Sequence, residues 1–135
     1  MRKVEKVLAY LVRGTDVLVF EHVGMPEAGI QVPAGTVEYG ESAEAALLRE
    51  VAEETGVLLR DSGKCLGRFP WYREDRNEQH YRNVFRIDAP TGLADTWDHL
   101  PRGGGEEQGL VFRCFWMPIE RARKDLAADQ GAYLL

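Results

Sequence analysis

Three glutamates of this chain, Glu50, Glu53 and Glu54, are spaced so that their carboxylates leave one face of a helix about a turn apart. Like charges at this spacing destabilise a helix by roughly 0.2–0.5 kcal/mol per pair, and near its C-terminal end they also oppose the helix dipole. Clustered carboxylate oxygens are the ligands that a hard divalent cation requires. Taken alone, the spacing is more typical of a solvated helix surface, and a metal site is the alternative that the surrounding residues decide.

The charge imbalance of the protein is concentrated around these glutamates. The net charge of the 135 residues is −5, and residues 35–57 contain six acidic residues and one basic residue. The rest of the chain carries sixteen residues of each sign. The acidity is therefore a local feature and not a general property of the surface.

The glutamates are predicted to lie on an amphipathic helix from Ser42 to Thr55. Ala43, Leu47 and Val51 recur at four-residue steps, which is the periodicity of a buried helix face. Ser42 suits the N-cap, and Gly56 suits the C-terminal stop. This helix would present the carboxylates on a rigid element.

The remaining pattern predicts strands on both sides of that helix and a second, shorter helix near the C-terminus. An α/β layered domain with a mixed sheet is the expected fold class. Residues 89–109 are rich in glycine and show no clear period, so they are predicted to form a long loop. The predicted strands cover residues 4–13, 16–23, 64–72, 80–88 and 110–119, residues 30–38 are short and extended, and the second helix covers residues 119–128.

The composition is typical of a globular protein, and we expect one domain over residues 1–135. No apolar run is long enough for a membrane span, and no apolar segment follows Arg2 and Lys3 at the N-terminus, so the cytoplasm is the expected location. Cys65 and Cys114 lie far apart without metal-ligand spacing, and two buried thiols are favoured over a disulfide.

Residues 35–57 also match a known motif. A glycine is followed after five residues by a glutamate and, after seven more, by the sequence REVAEETGV. The segment resembles the Nudix box at all nine of its defining positions. These positions are Gly35, Glu41, Arg49, Glu50, Val51, Glu53, Glu54, Gly56 and Val57.

The resemblance implies a Nudix-type α/β/α sandwich around a central mixed sheet. It also implies a divalent cation, Mg²⁺ with Mn²⁺ as a substitute, held against the diphosphate of a nucleotide substrate. By match, Glu50 and Glu54 are the foremost metal ligands, Glu53 is the next, and Gly35 would bring a backbone carbonyl to the metal. Glu41 and Arg49 would orient these carboxylates.

The implied reaction is hydrolysis of the pyrophosphate linkage in a nucleoside diphosphate joined to another group, such as a nucleotide sugar, a dinucleoside polyphosphate or a nucleoside triphosphate. The general base is open between the helix, with Glu53 or Glu50, and the Gly-rich loop, with Glu106 or Glu107. The alternative function is a catalytically silent Nudix-fold sensor or regulator that binds nucleotides.

Aromatic residues lie beside basic residues at 68–73, where Trp71 or Tyr72 could stack on a base and Arg73 or Arg76 could meet a phosphate. Core packing at a strand end is the alternative reading. His22 and His80 have no partner spacing and are expected to be neither ligands nor catalytic. Without a long basic stripe, a small nucleotide is expected as the partner and nucleic acid is not. The resemblance leaves a homodimer open.

Overall fold

The computed structural model describes residues 1–101 and 109–135. In this part of the chain, two α-helices flank one mixed sheet, together with short 3₁₀ segments. The strands are β1 Arg2–Arg13, β2 Asp16–His22, β3 Ala34–Thr36, β4 Lys64–Arg73, β5 Glu78–Asp88, β6 Thr96–His99 and β7 Phe112–Pro118, and the helices are α1 Ala43–Thr55 and α2 Ile119–Asp125.

The described strands form the order β4-β5-β1-β2-β7-β6, with β3 paired to the first half of β1. The β1–β5 pair is parallel, and the other pairs are antiparallel. The first two strands form a hairpin, because β1 and β2 pair directly across the turn at Gly14 and Thr15. Since β1 is central and apolar from Val7 to Val12, these residues are buried on both faces of the sheet.

Alternate residues of β1 point into two separate apolar layers. Val7, Ala9 and Leu11 pack towards α1, whereas Leu8 and Tyr10 pack towards α2 and the C-terminal segment. The predicted α/β/α sandwich with a mixed sheet is therefore confirmed. None of the helices in the described part of the chain is long and apolar enough to cross a membrane.

The structure corrects three sequence predictions. The stretch 89–109, predicted to be loop throughout, contains β6, which pairs with β7 from Thr96 to His99. The second helix ends at Asp125, and a kinked 3₁₀ segment follows at Ala127–Tyr133. Cys114 is buried as expected, but Cys65 is exposed, and both thiols are free.

Candidate active site

Helix α1 has the ends that its sequence predicts. The Ser42 hydroxyl accepts a hydrogen bond from Ala45 N at 3.1 Å, and Gly56 adopts the left-handed conformation with φ of 79°. Ala46, Leu47 and Val51 are fully buried against the sheet. Because this face is fixed in the core, the direction of the glutamates is fixed as well.

Strand β6 ties down the C-terminal turn of α1. Trp97 Nε1 donates to the carbonyl of Thr55 at 2.8 Å, and His99 Nε2 lies 3.0 Å from the carbonyl of Glu53. Carbonyls in the last turn of a helix have no partner within the helix, so these contacts satisfy groups that would otherwise need water. Sequence reasoning had placed Trp97 and His99 in a loop, and the structure gives them this positioning role.

Arg49 joins the acidic side chains of the site. Its guanidinium binds Glu41 through two bonds of 2.8 Å, from Nε and Nη2, and its Nη1 reaches Glu50 at 2.7 Å and Glu53 at 3.3 Å. Nη2 also donates to the carbonyl of Thr36 on β3 at 3.0 Å. One cation therefore holds three carboxylates and links α1 to β3.

The Arg49 network changes the protonation of both partners. The two hydrogen bonds from Arg49, with a further one from the backbone N–H of Glu38, lower the pKa of Glu41 from 4.5 to about 2. The same bonds raise the pKa of Arg49. Both groups are therefore charged at neutral pH.

Strand β3 contacts the two foremost metal-ligand candidates. Glu54, whose residue is 8% exposed, accepts a hydrogen bond from Ala34 N at 2.8 Å. A Cβ at Gly35 would overlap the carboxylate of Glu50. Glycine at this position lets β3 approach α1 closely enough for both carboxylates to meet the backbone of the strand.

The donor set of this site suits a hard divalent cation. Glu50 and Glu54 offer carboxylate oxygens one turn apart, and the absence of a side chain at Gly35 leaves room for the Glu50 carboxylate against β3. Within residues 1–101 and 109–135, no three His, Cys, Asp or Glu side chains converge as a ready-made ligand set. The positive charge beside the carboxylates of Glu50 and Glu53 is instead that of Arg49.

A cavity of about 460 Å³ opens beside Gly35, on the face of the sheet opposite α1. This volume lies within the range of small-molecule sites. Its polar lining comes mainly from β1, β4, β5 and the 3₁₀ segment that follows α2. The polar side chains are Lys6, Gln31, Arg73, Asp75, His80, Arg82 and Gln130, and Trp71 supplies an aromatic wall.

A larger cleft of about 790 Å³ lies away from this site, at the start of β4 and the end of β5. It is lined by Arg60, Asp61, Lys64, Arg86 and Asp88 among others. None of the Nudix-box residues lines it. We therefore take the smaller cavity, which adjoins Gly35, as the candidate substrate pocket.

The three predicted substrate-binding residues lie on different sides of the sheet. Trp71 and Arg73 line the pocket, and Arg73 binds Asp75 at 2.9 Å. Tyr72 is absent from the pocket lining, is 46% exposed, and donates to Asn77 at 2.6 Å. Alternation along β4 explains this separation, because successive residues of a strand face opposite sides.

The sequence prediction of substrate contacts missed five polar pocket residues, namely Lys6, Gln31, Asp75, His80 and Gln130. His80 has a partner after all, since its Nε2 lies 2.9 Å from Glu78 Oε1. The two-residue spacing on a strand was the available signal, because residues i and i+2 share a face. Gln130 and Lys6 had no such signal.

The structure leaves the loop candidates for the general base open. Glu106 and Glu107 lie outside the described residues. The helix candidates are placed differently from each other: Glu50 contacts Gly35, and the Glu53 side chain is 25% exposed beside Arg49.

The family model described as the NUDIX domain matches residues 2–135. The chain belongs to the Nudix family. This Nudix protein is similar in structure to a MutT NUDIX hydrolase from Burkholderia pseudomallei, with a TM-score of 0.73, 21% identity, and coverage of 99% of this chain and 97% of the other.

A second similar structure is a NUDIX hydrolase from Nitrosomonas europaea, with a TM-score of 0.70, 25% identity, and coverage of 94% and 80% of the two chains. Among curated proteins, a putative 8-oxo-dGTP diphosphatase 2 of Mycobacterium tuberculosis is 47% identical over 57 residues. That alignment covers 41% of this chain and 40% of the relative's length. The chain therefore spans less than half of the length of this curated relative.

Proposed function

We propose that this Nudix protein hydrolyses the pyrophosphate linkage of a nucleoside diphosphate derivative with Mg²⁺, and that Mn²⁺ can substitute. The observation that carries the proposal is the arrangement of Glu50 and Glu54 against Ala34 and Gly35, beside a pocket large enough for a nucleotide. Glu50, Glu54 and a backbone oxygen at Gly35 would hold the cation, with Glu53 completing the set. A bound divalent cation neutralises diphosphate oxygens and lowers the pKa of water.

The protein side chains have separate parts in this proposal. Arg49 holds Glu41, Glu50 and Glu53 in fixed positions, so that less reorganisation is needed when substrate binds. Glu54 is oriented by the Ala34 amide. A carboxylate takes the proton from the attacking water, and Glu53, Glu50, Glu106 and Glu107 are the candidates.

The pocket supports a nucleotide as the substrate. Trp71 offers an aromatic surface, and Lys6, Arg73 and Arg82 offer positive charge. The curated relative is named for 8-oxo-dGTP, so oxidised nucleoside triphosphates are the first substrates to test. Nucleotide sugars and dinucleoside polyphosphates complete the substrate class.

The test is product release from 8-oxo-dGTP, other (d)NTPs, nucleotide sugars and dinucleoside polyphosphates with Mg²⁺, Mn²⁺ or EDTA. Glu54→Gln keeps an oxygen that can accept from Ala34 N but removes the charge, so we expect kcat to fall at least about 100-fold without loss of folding. Glu44→Gln is the matched control, because Glu44 is exposed in the first turn of the same helix.

Metal-dependent hydrolysis that is lost in Glu54→Gln and kept in Glu44→Gln would support the proposal. Near-normal activity of Glu54→Gln would overturn the assigned ligand. Absence of turnover across the whole panel, together with nucleotide-induced thermal stabilisation, would favour the sensor function instead.

A further inference from the structure

Arg82 is a buried guanidinium with an unpaired donor in the candidate substrate pocket. The residue is 4% exposed, and its Nη1 has no hydrogen-bond partner among the described residues. Buried polar groups in proteins are nearly always hydrogen-bonded, and an unpaired buried donor of a charged group costs free energy. Because Arg82 also lines the pocket, an acceptor group of a bound ligand is one way to satisfy this donor.

The guanidinium is held in place by stacking. Its carbon lies 4.1 Å from the centroid of the Trp71 ring. Trp71 is itself fixed, because its indole N–H donates to Asp129 Oδ2 at 3.0 Å. A guanidinium stacked by its face keeps its N–H edge available for a planar, charged acceptor.

A second cation lies beside Arg82 on the same face of the sheet. Lys6 pairs with Arg82 across β1 and β5, and with Thr36 across β1 and β3. Since adjacent strands are about 4.8 Å apart, Arg82 and Thr36 are separated by about 10 Å at the Cα atoms. Two like charges on directly paired residues destabilise a sheet. An anion bound between the two cations would make their proximity favourable.

This pair of cations is continuous with the acidic end of the site. Lys6 donates to Thr36 Oγ1 at 2.9 Å, next to Gly35. Burial chiefly lowers the pKa of Lys6, the charges of Glu50 and Glu54 raise it, and Arg73 and Arg82 lower it further. Lys6 is therefore close enough to both carboxylates and to both arginines for their charges to act on it.

The acidic residues around this end of the pocket already have partners. Asp75 binds Arg73, and Asp129 accepts from Trp71. Glu78 binds His80 and Arg2. The described acids near Arg82 are thus committed to other groups, and the positive end of the pocket is suited to an anion brought by the ligand.

We propose that Arg82, with Lys6 beside it, is an anchor for a phosphate group of the nucleotide and that this anchor works without a divalent cation. The proposal rests on the proposed function for its choice of ligand. In this proposal, the protein recognises a phosphate group at the end of the pocket away from the carboxylates of Glu50 and Glu54. An uncharged carbonyl of the base is the competing acceptor for the same donor.

The test is calorimetric titration in EDTA with GDP, inorganic pyrophosphate and guanosine as probes. Arg82→Gln should weaken GDP and pyrophosphate binding at least about 10-fold, because a charge-assisted hydrogen bond is lost. Guanosine binding should be unchanged. The affinities of Arg82→Lys for GDP and pyrophosphate should lie between those of wild type and those of Arg82→Gln. Lys6→Gln should also weaken the two phosphate probes and not guanosine.

Arg68→Gln is the matched control for the loss of stacking. Arg68 lies 4.0 Å over the Tyr81 ring across the same two strands, but it binds Glu5 and is absent from the pocket lining. Its substitution should leave all three affinities within about 2-fold of wild type, which is less than the loss of one hydrogen bond.

Two results would overturn the anchor. One is wild-type GDP affinity in Arg82→Gln, and the other is an equal loss of guanosine and GDP, which would assign Arg82 to the base. Unfolding curves of each variant establish that it is folded before its affinity is interpreted. If the anchor holds in EDTA but wild type hydrolyses nothing with Mg²⁺, the proposed function fails and the anchor stands.

Discussion

The carboxylate of Glu50 fills the space that a side chain at Gly35 would need. The two residues belong to different elements, α1 and β3, so a side chain at position 35 would have to displace the end of the Glu50 side chain. The glycine is required here by space and not by an unusual backbone conformation, since Gly35 has no positive φ. This relationship can be tested as a coupling between the two positions.

Gly35→Ala should lower the free energy of unfolding by about 1–3 kcal/mol, the usual cost of overpacking, and should reduce turnover. In a Glu50→Ala background the added methyl group has room, so most of that cost should disappear. Urea unfolding of wild type, Gly35→Ala, Glu50→Ala and the double variant measures the coupling. An equal cost in both backgrounds would show that Glu50 does not set the limit at Gly35.

The Glu41–Arg49 pair predicts a specific pH dependence of stability. The pKa of Glu41 is about 2 in the folded state and 4.5 ordinarily, so its carboxylate stabilises the protein above pH 4.5. That contribution is lost as the pH falls from 4.5 towards 2. In Glu41→Gln, the fall in unfolding free energy over this window should be shallower than in wild type.

Urea unfolding in EDTA between pH 2.5 and 7 checks this prediction. The pKa of Glu5, of Asp75 and of Glu78 is also lowered, so a residual slope remains. Arg49→Gln should flatten the same window, and the double variant should flatten it no further. An unchanged wild-type profile in Glu41→Gln would contradict the assignment.

Ala128 predicts an unusual response to glycine. It lines the pocket, and its φ of 53° lies in the left-handed region, as does that of Asp129. For a residue with a Cβ this conformation costs roughly 1–2 kcal/mol, whereas glycine adopts it freely. Ala128→Gly should therefore leave the free energy of unfolding unchanged or raise it by up to about 1 kcal/mol, because the relief of strain is partly offset by the greater entropy of the unfolded chain.

The control for this prediction is Ala52→Gly in the interior of α1. This change should lower the free energy of unfolding by about 0.5–1 kcal/mol, the ordinary cost of glycine inside a helix. Thermal or urea unfolding compares the two variants. If Ala128→Gly is as destabilising as Ala52→Gly, the left-handed conformation stores no strain at this edge of the pocket.

Features that depend on neighbours in sequence could be predicted from the sequence. The caps of α1 at Ser42 and Gly56 involve groups within four residues of each helix end, so the letters alone indicate them. The spacing of Glu50, Glu53 and Glu54 is likewise a property of one helix. The family resemblance depended on the local segment of residues 35–57. The family model itself matches residues 2–135.

Features that depend on distant partners could not be read from the sequence. Residues 96–99 form a strand only because they pair with residues 112–115, and four residues in a Gly-rich stretch carry no period of their own. His80 and Glu78 meet on one face of β5 because that segment is a strand.

The sequence by itself determined which residues carry negative charge on one helix face and which residues end that helix, because both follow from local geometry. The tertiary structure alone decided that Lys6 and Arg82 lie abreast and that Arg82 faces the pocket under Trp71. Residues 6 and 82 come together only through the parallel pairing of β1 with β5. That pairing is fixed by burial of both faces of the sheet, which no short segment of sequence specifies.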